Sequence, residues 1–142
     1  MIKLTDDIEL KLQNLKKSKN RDLIMNAFRQ AKKPLSADDI FHKLKIKNKK
    51  LALSTVYRTL DKLIELDIIR ETFKDGDKSM YELAQEHHKH YIICTNCKNI
   101  VPLDFCPFHE IEHKIVEQTG FKISGHKFEI YGECPKCHSF CE

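Results

Sequence analysis

The chain has 142 residues, of which 41% are hydrophobic and 32% charged, a balance typical of a globular protein of one domain or two small ones. No apolar run approaches the ~20 residues that span a bilayer, and the charged N-terminal stretch MIKLTDDIELKLQNLKKSKN lacks the apolar core of a signal peptide. We therefore expect a cytoplasmic protein without a membrane partner, in which six cysteines suit metal binding better than disulfides.

Charge and ligand residues are segregated along the chain. Residues 1–84 hold 19 Lys and Arg against 13 Asp and Glu, whereas residues 85–142 hold 6 against 8. All six cysteines and seven of the eight histidines lie in the second segment. We therefore predict two modules, a basic nucleic-acid-binding domain over residues 1–84 and a metal-binding domain over residues 85–142.

The basic segment carries the pattern of three short helices. Apolar positions in RDLIMNAFRQA (residues 21–31) recur at helical spacing, and the sequence predicts that this helix ends at the following Lys-Lys-Pro. Ser36 is placed to cap a second helix, and Ser54 to cap a third. The third helix is predicted to bury Val56, Leu60, Leu63 and Ile64 and to expose Tyr57, Arg58, Asp61 and Lys62.

Two strand-like runs, IIRETFK and KSMYELA, flank Asp75-Gly76-Asp77 and predict a β-hairpin. Three helices followed by a hairpin are the element order of a winged helix-turn-helix. In that motif the third helix is the recognition helix, which enters the major groove of DNA. This order puts four residues nearest the bases and phosphates: Ser54, Thr55, Tyr57 and Arg58. The alternative is a small α+β domain whose lysines only form a solvated face.

Two CxxC motifs, Cys94-Thr95-Asn96-Cys97 and Cys134-Pro135-Lys136-Cys137, are separated by 36 residues. Four thiolates from two tight turns satisfy tetrahedral zinc. Thioredoxin-like redox chemistry needs only one CxxC beside a βαβ unit, which would leave the second motif unexplained. We therefore predict that these four cysteines bind one structural zinc that stabilises the fold rather than performing catalysis.

The segment between the two motifs predicts a helix and a strand. The helix begins at Pro107 and ends at Gly120, and its core stripe is predicted to be Phe108, Ile111 and Ile115. The strand follows in KISGHKFEIYGEC, where Ile123, Phe128 and Ile130 are predicted to be buried.

Four histidines near these elements are candidates for a second metal site. Strand alternation puts His88 and His90 on one face of the run before Cys94, His109 lies in the first turn of the predicted helix, and His126 lies in the following strand. A lone histidine is more often a surface or hydrogen-bonded residue, which is our interpretation of His113 and His138. Spacing alone does not show that the four histidines converge.

The chain resembles the ferric uptake regulator (Fur) family of bacterial metal-responsive repressors. The matching stretches are SADDIFHKL, LSTVYRTLDKLIELDIIRE, MYELAQEHHKHYIICTNC and TGFKISGHKFEIYGECPKC. The resemblance implies an α+β chain with an N-terminal winged helix, a small C-terminal α/β dimerisation domain with a four-cysteine zinc site, and metal-dependent binding of a palindromic DNA operator as a homodimer.

The resemblance also implies two further metal sites, of which this sequence retains one. The first is the hinge-proximal site, which the family has near the hinge between its two domains. Four of its ligand positions here hold residues that are not plausible ligands, Pro34, Lys89, Tyr91 and Pro102, and only Glu82 remains. The neighbouring site falls on His88, His90, His109 and His126, with an imidazole where the helix ligand is usually acidic. Cys106, three residues before His109, is a further candidate ligand that the resemblance does not assign to a site. If the alignment of the histidine-rich run slipped by one residue, His87 could act as a ligand with His90.

These observations predict a repressor whose corepressor is a divalent transition metal, with zinc favoured over iron because an all-nitrogen set without carboxylates suits zinc. An iron-responsive regulator is the alternative, and a peroxide sensor is the least favoured branch because its hinge-proximal site is mostly absent. A zinc hydrolase would need a carboxylate or nucleophile at a fixed offset and would leave the basic domain without a role. A zinc-tied protein-interaction module is the remaining alternative. No enzymatic activity and no small organic ligand are expected.

Overall fold

A computed structural model describes residues 2–85 and 89–139 of the chain, which divides into two compact units, Met1–Glu86 and His87–Glu142. Both units combine helices with a three-stranded sheet, which confirms the predicted α+β class. Within the described ranges, no helix has the length and apolar character needed to cross a membrane.

Unit 1 has the element order of a winged helix. Its helices are α1 (Asp6–Gln13), α2 (Lys19–Gln30), α3 (Ala37–Lys45) and α4 (Leu53–Glu65), and its strands are β1 (Leu35–Ser36), β2 (Ile69–Asp75) and β3 (Lys78–Leu83). The strands form an antiparallel sheet in the order β1-β3-β2. Helix α1 was not predicted: it is largely exposed and contributes Ile8 to the core, so it lacks a broad apolar stripe.

Two serines predicted as helix caps behave differently. Ser36 caps α3 in a reciprocal capping box, in which Asp39 N donates to Ser36 Oγ at 3.1 Å and Ser36 N donates to Asp39 Oδ2 at 2.9 Å. The prediction that Ser54 caps the next helix is wrong. Because Thr55 N and Val56 N already donate to the carbonyl of Ala52, α4 begins at Leu53 and Ser54 lies inside its first turn.

The hairpin forms where it was predicted. Asp75 pairs with Lys78 across a tight turn in which Gly76 has a φ of 62°, a conformation that glycine adopts without a steric penalty. The core of unit 1 lies between the helices and this hairpin, with fully buried side chains from α2, α3 and α4 at Ile24, Ile40 and Leu60.

Unit 2 contains β4 (His90–Cys94), β5 (Ile100–Leu103), α5 (Phe108–Thr119), β6 (Ile130–Gly132) and α6 (Pro135–His138). Strand β4 is central, antiparallel to β5 and parallel to β6. Gly120 ends α5 in the left-handed region, with a φ of 69°, as predicted.

Two expectations for unit 2 are wrong. The predicted strand over residues 122–134 shortens to β6, and the stretch before it has no regular structure. The three apolar residues predicted to be buried there are only half-buried: Ile123, Phe128 and Ile130. In the predicted core stripe of α5, Phe108 is buried, but Ile111 is 40% exposed and Ile115 is half-buried. The apolar periodicity of α5 therefore marks a face that its own unit covers only in part.

Candidate metal centres and nucleic-acid interface

The pairing of β4 with β6 brings the two CxxC motifs together. Cys94 lies opposite Gly132, and Thr95 N donates to the carbonyl of Gly132 at 2.9 Å. The sulfurs of Cys94, Cys97, Cys134 and Cys137 all lie within 4.8 Å of one another, and Cys97 Sγ is 3.7 Å from Cys134 Sγ. Tetrahedral zinc with bonds of about 2.3 Å separates its sulfur ligands by about 3.8 Å, so this donor set fits structural zinc.

The thiols of this cluster differ in acidity. Backbone N–H groups, that of Cys134 first, lower the pKa of the Cys94 thiol to about 6, and Cys134 N lies 3.3 Å from Cys94 Sγ. The hydrogen bond from Cys137 to Cys134, followed by desolvation, raises the pKa of Cys137 to about 12. A metal-free cluster thus keeps a proton among its sulfurs, whereas a central divalent cation would favour the fully ionised set.

A second cluster joins His90, Cys106 and His126. The three contacts of the triangle are short: His90 Nε2 lies 3.2 Å from Cys106 Sγ and 3.2 Å from His126 Nε2, and Cys106 Sγ lies 3.5 Å from His126 Nε2. Zinc with tetrahedral bonds of about 2.0–2.1 Å to nitrogen and 2.3 Å to sulfur requires similar separations, about 3.4 and 3.6 Å. The three side chains therefore have separations that match one face of a tetrahedral zinc site.

Each member of the triangle comes from a different part of unit 2. His90 begins β4 and is 6% exposed, Cys106 lies in the loop between β5 and α5, and His126 lies in the irregular segment before β6. Two aromatic rings hold the imidazoles. Phe108 stacks on His126 at 4.3 Å between ring centroids, and Phe128 meets both imidazoles edge-on.

The predicted histidine set is assembled only in part. His90 and His126 meet, whereas His109 is exposed in the first turn of α5 and belongs to neither cluster of potential ligands found among the described residues. The reason is local: Phe108 points inward, and adjacent helical side chains diverge by about 100°, so His109 points away. His88, like His87 and Cys141, lies outside the described residues.

Cys106 is the candidate ligand that the sequence pattern did not place. The one signal available was its position three residues before His109, beside the proline that precedes the helix. Its role depends on the fold of the loop after β5, which no local periodicity encodes.

Glu82, the remnant of the hinge-proximal site, has a structural partner. It lies opposite Arg70 in the β2–β3 register and accepts from Arg70 Nη2 at 2.8 Å and Arg70 Nε at 3.1 Å. Its carboxylate is therefore engaged in a cross-strand ion pair within the wing.

The start of α4 presents the four predicted DNA-contacting residues on or near its exposed side. Ser54, Tyr57 and Arg58 are exposed and Thr55 is half-buried. Val56, Leu60 and Leu63 anchor the opposite side in the core, which fixes the direction in which the helix presents these residues.

Comparison with known proteins matches most of the chain to one family. The sequence model described as the ferric uptake regulator family matches residues 12–131. The ferric uptake regulation protein of Bordetella parapertussis is 30% identical over 135 residues, which cover 94% of this chain and 97% of that protein.

Two solved structures are similar along most of the chain. A ferric uptake regulator from Francisella tularensis, solved with iron, has a TM-score of 0.77 at 32% identity. The match covers 88% of this chain and 96% of the Francisella tularensis chain. The ferric uptake regulator of Helicobacter pylori, described as having three functional metal-binding sites, has a TM-score of 0.78 at 25% identity. That match covers 92% of this chain and 87% of the Helicobacter pylori chain.

Proposed function

This chain belongs to the ferric uptake regulator family, and we propose that it is a zinc-responsive repressor that binds a DNA operator as a homodimer. Members of the family are DNA-binding transcription regulators rather than enzymes, so the chain is a metal-responsive transcriptional regulator and a zinc hydrolase is excluded. The proposal adds the metal, the ligands and the DNA-contacting residues.

The observation that carries the choice of metal is the triangle of His90, Cys106 and His126. A thiolate with two imidazoles is a soft, nitrogen-rich set that suits zinc, whereas iron(II) and manganese(II) favour sets containing carboxylates. Among the residues that the structure describes, no acidic side chain joins this cluster. We expect a fourth ligand, from His88 or from solvent, to complete the tetrahedron.

The two metal centres would have different roles. The four-cysteine centre ties β4 to the segment after β6 and would hold zinc permanently for structure. The centre at His90, Cys106 and His126 would exchange metal and bias the pair of winged helices towards the spacing of two successive major grooves. That coupling requires the metal to prefer the DNA-binding arrangement.

Unit 2 also supports the dimer. It leaves several large apolar side chains exposed on its helix, sheet and loops: Val101, Phe105, Ile111, Val116, Phe121 and Tyr131. Such a surface is typical of a subunit interface, and a homodimer would bury part of it. Because its proposed target is the operator DNA, we place the protein in the cytoplasm.

Iron is the second candidate metal, because the relative from Bordetella parapertussis is named a ferric uptake regulation protein. The test is DNA binding with zinc, iron(II), manganese(II) and nickel(II) titrated separately into protein whose four-cysteine centre is loaded. Activation by zinc at the lowest free concentration is expected. Activation by iron(II) at its physiological level, with no response to zinc, would overturn the zinc assignment.

His90→Ala and His126→Ala, with His113→Ala as the control, test the ligands in the same titration. His113 is exposed on α5 and outside both clusters, so its loss should leave the activation midpoint unchanged. Unchanged midpoints in the first two variants would exclude this site as the sensor.

A further inference from the structure

A basic pocket of about 310 Å³ lies in unit 1 between the start of α2 and one face of α4. Its polar lining consists of Ser18, Arg21, Thr55, Arg58, Thr59 and Lys62. Three of these side chains are cationic and none is acidic, so the pocket has the charge and the hydrogen-bond donors that an anion requires.

Arg21 is the least satisfied of the three cations. Its side chain is 15% exposed, and its Nε is buried and has no hydrogen-bond partner among the described residues. Its nearest acidic neighbour, Asp22, lies 4.0 Å from Nη2 and has a side chain that is 71% exposed. A guanidinium largely withdrawn from water, with its carboxylate partner no closer than 4.0 Å, would be stabilised by an anion bound beside it.

The other two cations are available as well. Lys62 meets Glu65 at 3.3 Å, but both side chains are more than half exposed, and such surface pairs contribute little and yield readily to another partner. Arg58 is exposed, and within the described ranges no ion pair engages it. Thr55, Arg58, Thr59 and Lys62 follow one another at helical spacing, so the pocket continues the predicted DNA-facing surface of α4.

We propose that this pocket binds one backbone phosphate of the duplex whose major groove receives α4, with Arg21, Arg58 and Lys62 as its cationic contacts. The inference rests on the proposed DNA binding. It adds Arg21 and Lys62 to the predicted contact set and assigns them to positioning on the duplex rather than to sequence discrimination.

The salt dependence of binding to a random-sequence 30-base-pair duplex tests this contact. Arg21→Gln and Lys62→Gln would be compared with wild type, all zinc-loaded and full-length, between about 50 and 200 mM salt. Each variant should bind more weakly and lower the slope of log K against log salt by about one, because one phosphate contact is lost. Arg21→Lys should retain most of the slope, which separates loss of charge from loss of folding.

The control is Lys122→Gln, which removes the same charge from an exposed position of unit 2 and should leave the slope at its wild-type value. Wild-type slopes in both Gln variants would overturn the phosphate pocket while leaving the proposed function intact. Failure of the wild type to bind duplex in response to zinc would overturn both.

A titration with inorganic phosphate, followed by backbone amide NMR, distinguishes the source of the anion. Weak binding at millimolar phosphate, with shifts confined to Ser18, Arg21 and Thr55, is expected of a site built for a polyanion. Micromolar phosphate binding combined with wild-type salt slopes in the variants would identify a free phosphate ligand and overturn the duplex assignment.

Discussion

Phe108 stacks on His126 with their ring centroids 4.3 Å apart. Phe108 is the first residue of α5, and His126 lies in the irregular segment that follows the helix, so the contact holds an imidazole of the second cluster against the helix. The same contact turns the neighbouring His109 towards solvent and leaves Cys106, just before the helix, to complete the triangle with His90. Aromatic packing thus decides which side chain of this region faces the candidate metal.

Replacing Cys106 by Ser should weaken metal binding at the second centre, because it removes a direct ligand. Loss of a residue that only hydrogen-bonds to a ligand lowers metal affinity by roughly 10–100-fold, and the loss in Cys106→Ser should be larger. Cobalt(II) bound at this centre should lose its sulfur-to-metal charge-transfer absorption in the same variant. His109→Ala is the matched control and should keep both the affinity and the band. A wild-type band in Cys106→Ser would exclude the thiolate as a ligand.

Replacing Phe108 by Ala should lower the free energy of unfolding by about 3 kcal/mol, because it removes a ring that is only 9% exposed and leaves a cavity beside His126. Chemical denaturation with the four-cysteine centre loaded measures the loss. Ile46→Ala removes an apolar side chain that is 83% exposed in unit 1, outside the apolar surface proposed for the dimer, and should cost less than about 0.5 kcal/mol. Equal costs for the two variants would contradict the packing role of Phe108.

Replacing Cys97 by Ser should remove the structural zinc, because this exposed cysteine supplies one sulfur of the four-thiol set. Metal analysis after dialysis should find the equivalent lost in Cys97→Ser and retained in Cys106→Ser, whose thiol belongs to the other cluster. The dimer should also become less stable, since structural zinc contributes directly to folding. A full equivalent of tightly bound zinc in Cys97→Ser would contradict the four-cysteine assignment.

Local signals predicted the parts of the fold that depend on neighbouring residues. The helix cap at Ser36, the hairpin at Gly76 and the end of α5 at Gly120 each depend on residues within a few positions of one another. The four-cysteine cluster was also predictable, because the repeated CxxC spacing has few other chemical explanations.

The remaining features depend on contacts between distant segments. Cys106 and His90 are 16 residues apart, and no periodicity relates them. The exposure of Ile111 has a related cause, since an apolar stripe has the same spacing whether it faces its own core or a partner. The start of α4 at Leu53 rather than after Ser54 reflects hydrogen bonds to the Ala52 carbonyl, which compete with the local preference for a serine cap.

DNA recognition should depend on the first turns of α4. Tyr57 is 46% exposed on the side of the helix away from the core, beside Arg58. If Tyr57 contacts a base edge, Tyr57→Ala should reduce the preference for a selected operator over random duplex by about 1–3 kcal/mol. If Arg58 contacts phosphate, Arg58→Ala should weaken both complexes by a similar factor and lower the salt slope.

The control for Tyr57 is His113, an exposed ring on α5 in unit 2 that belongs to neither ligand cluster. His113→Ala should keep the wild-type preference, because unit 2 has no assigned contact with DNA. Competition binding with operator and random duplexes, at saturating zinc and one salt concentration, measures all three variants together. Retention of the full preference and affinity in both α4 variants would mean that another surface binds the operator, since these exposed side chains have no assigned role in the core.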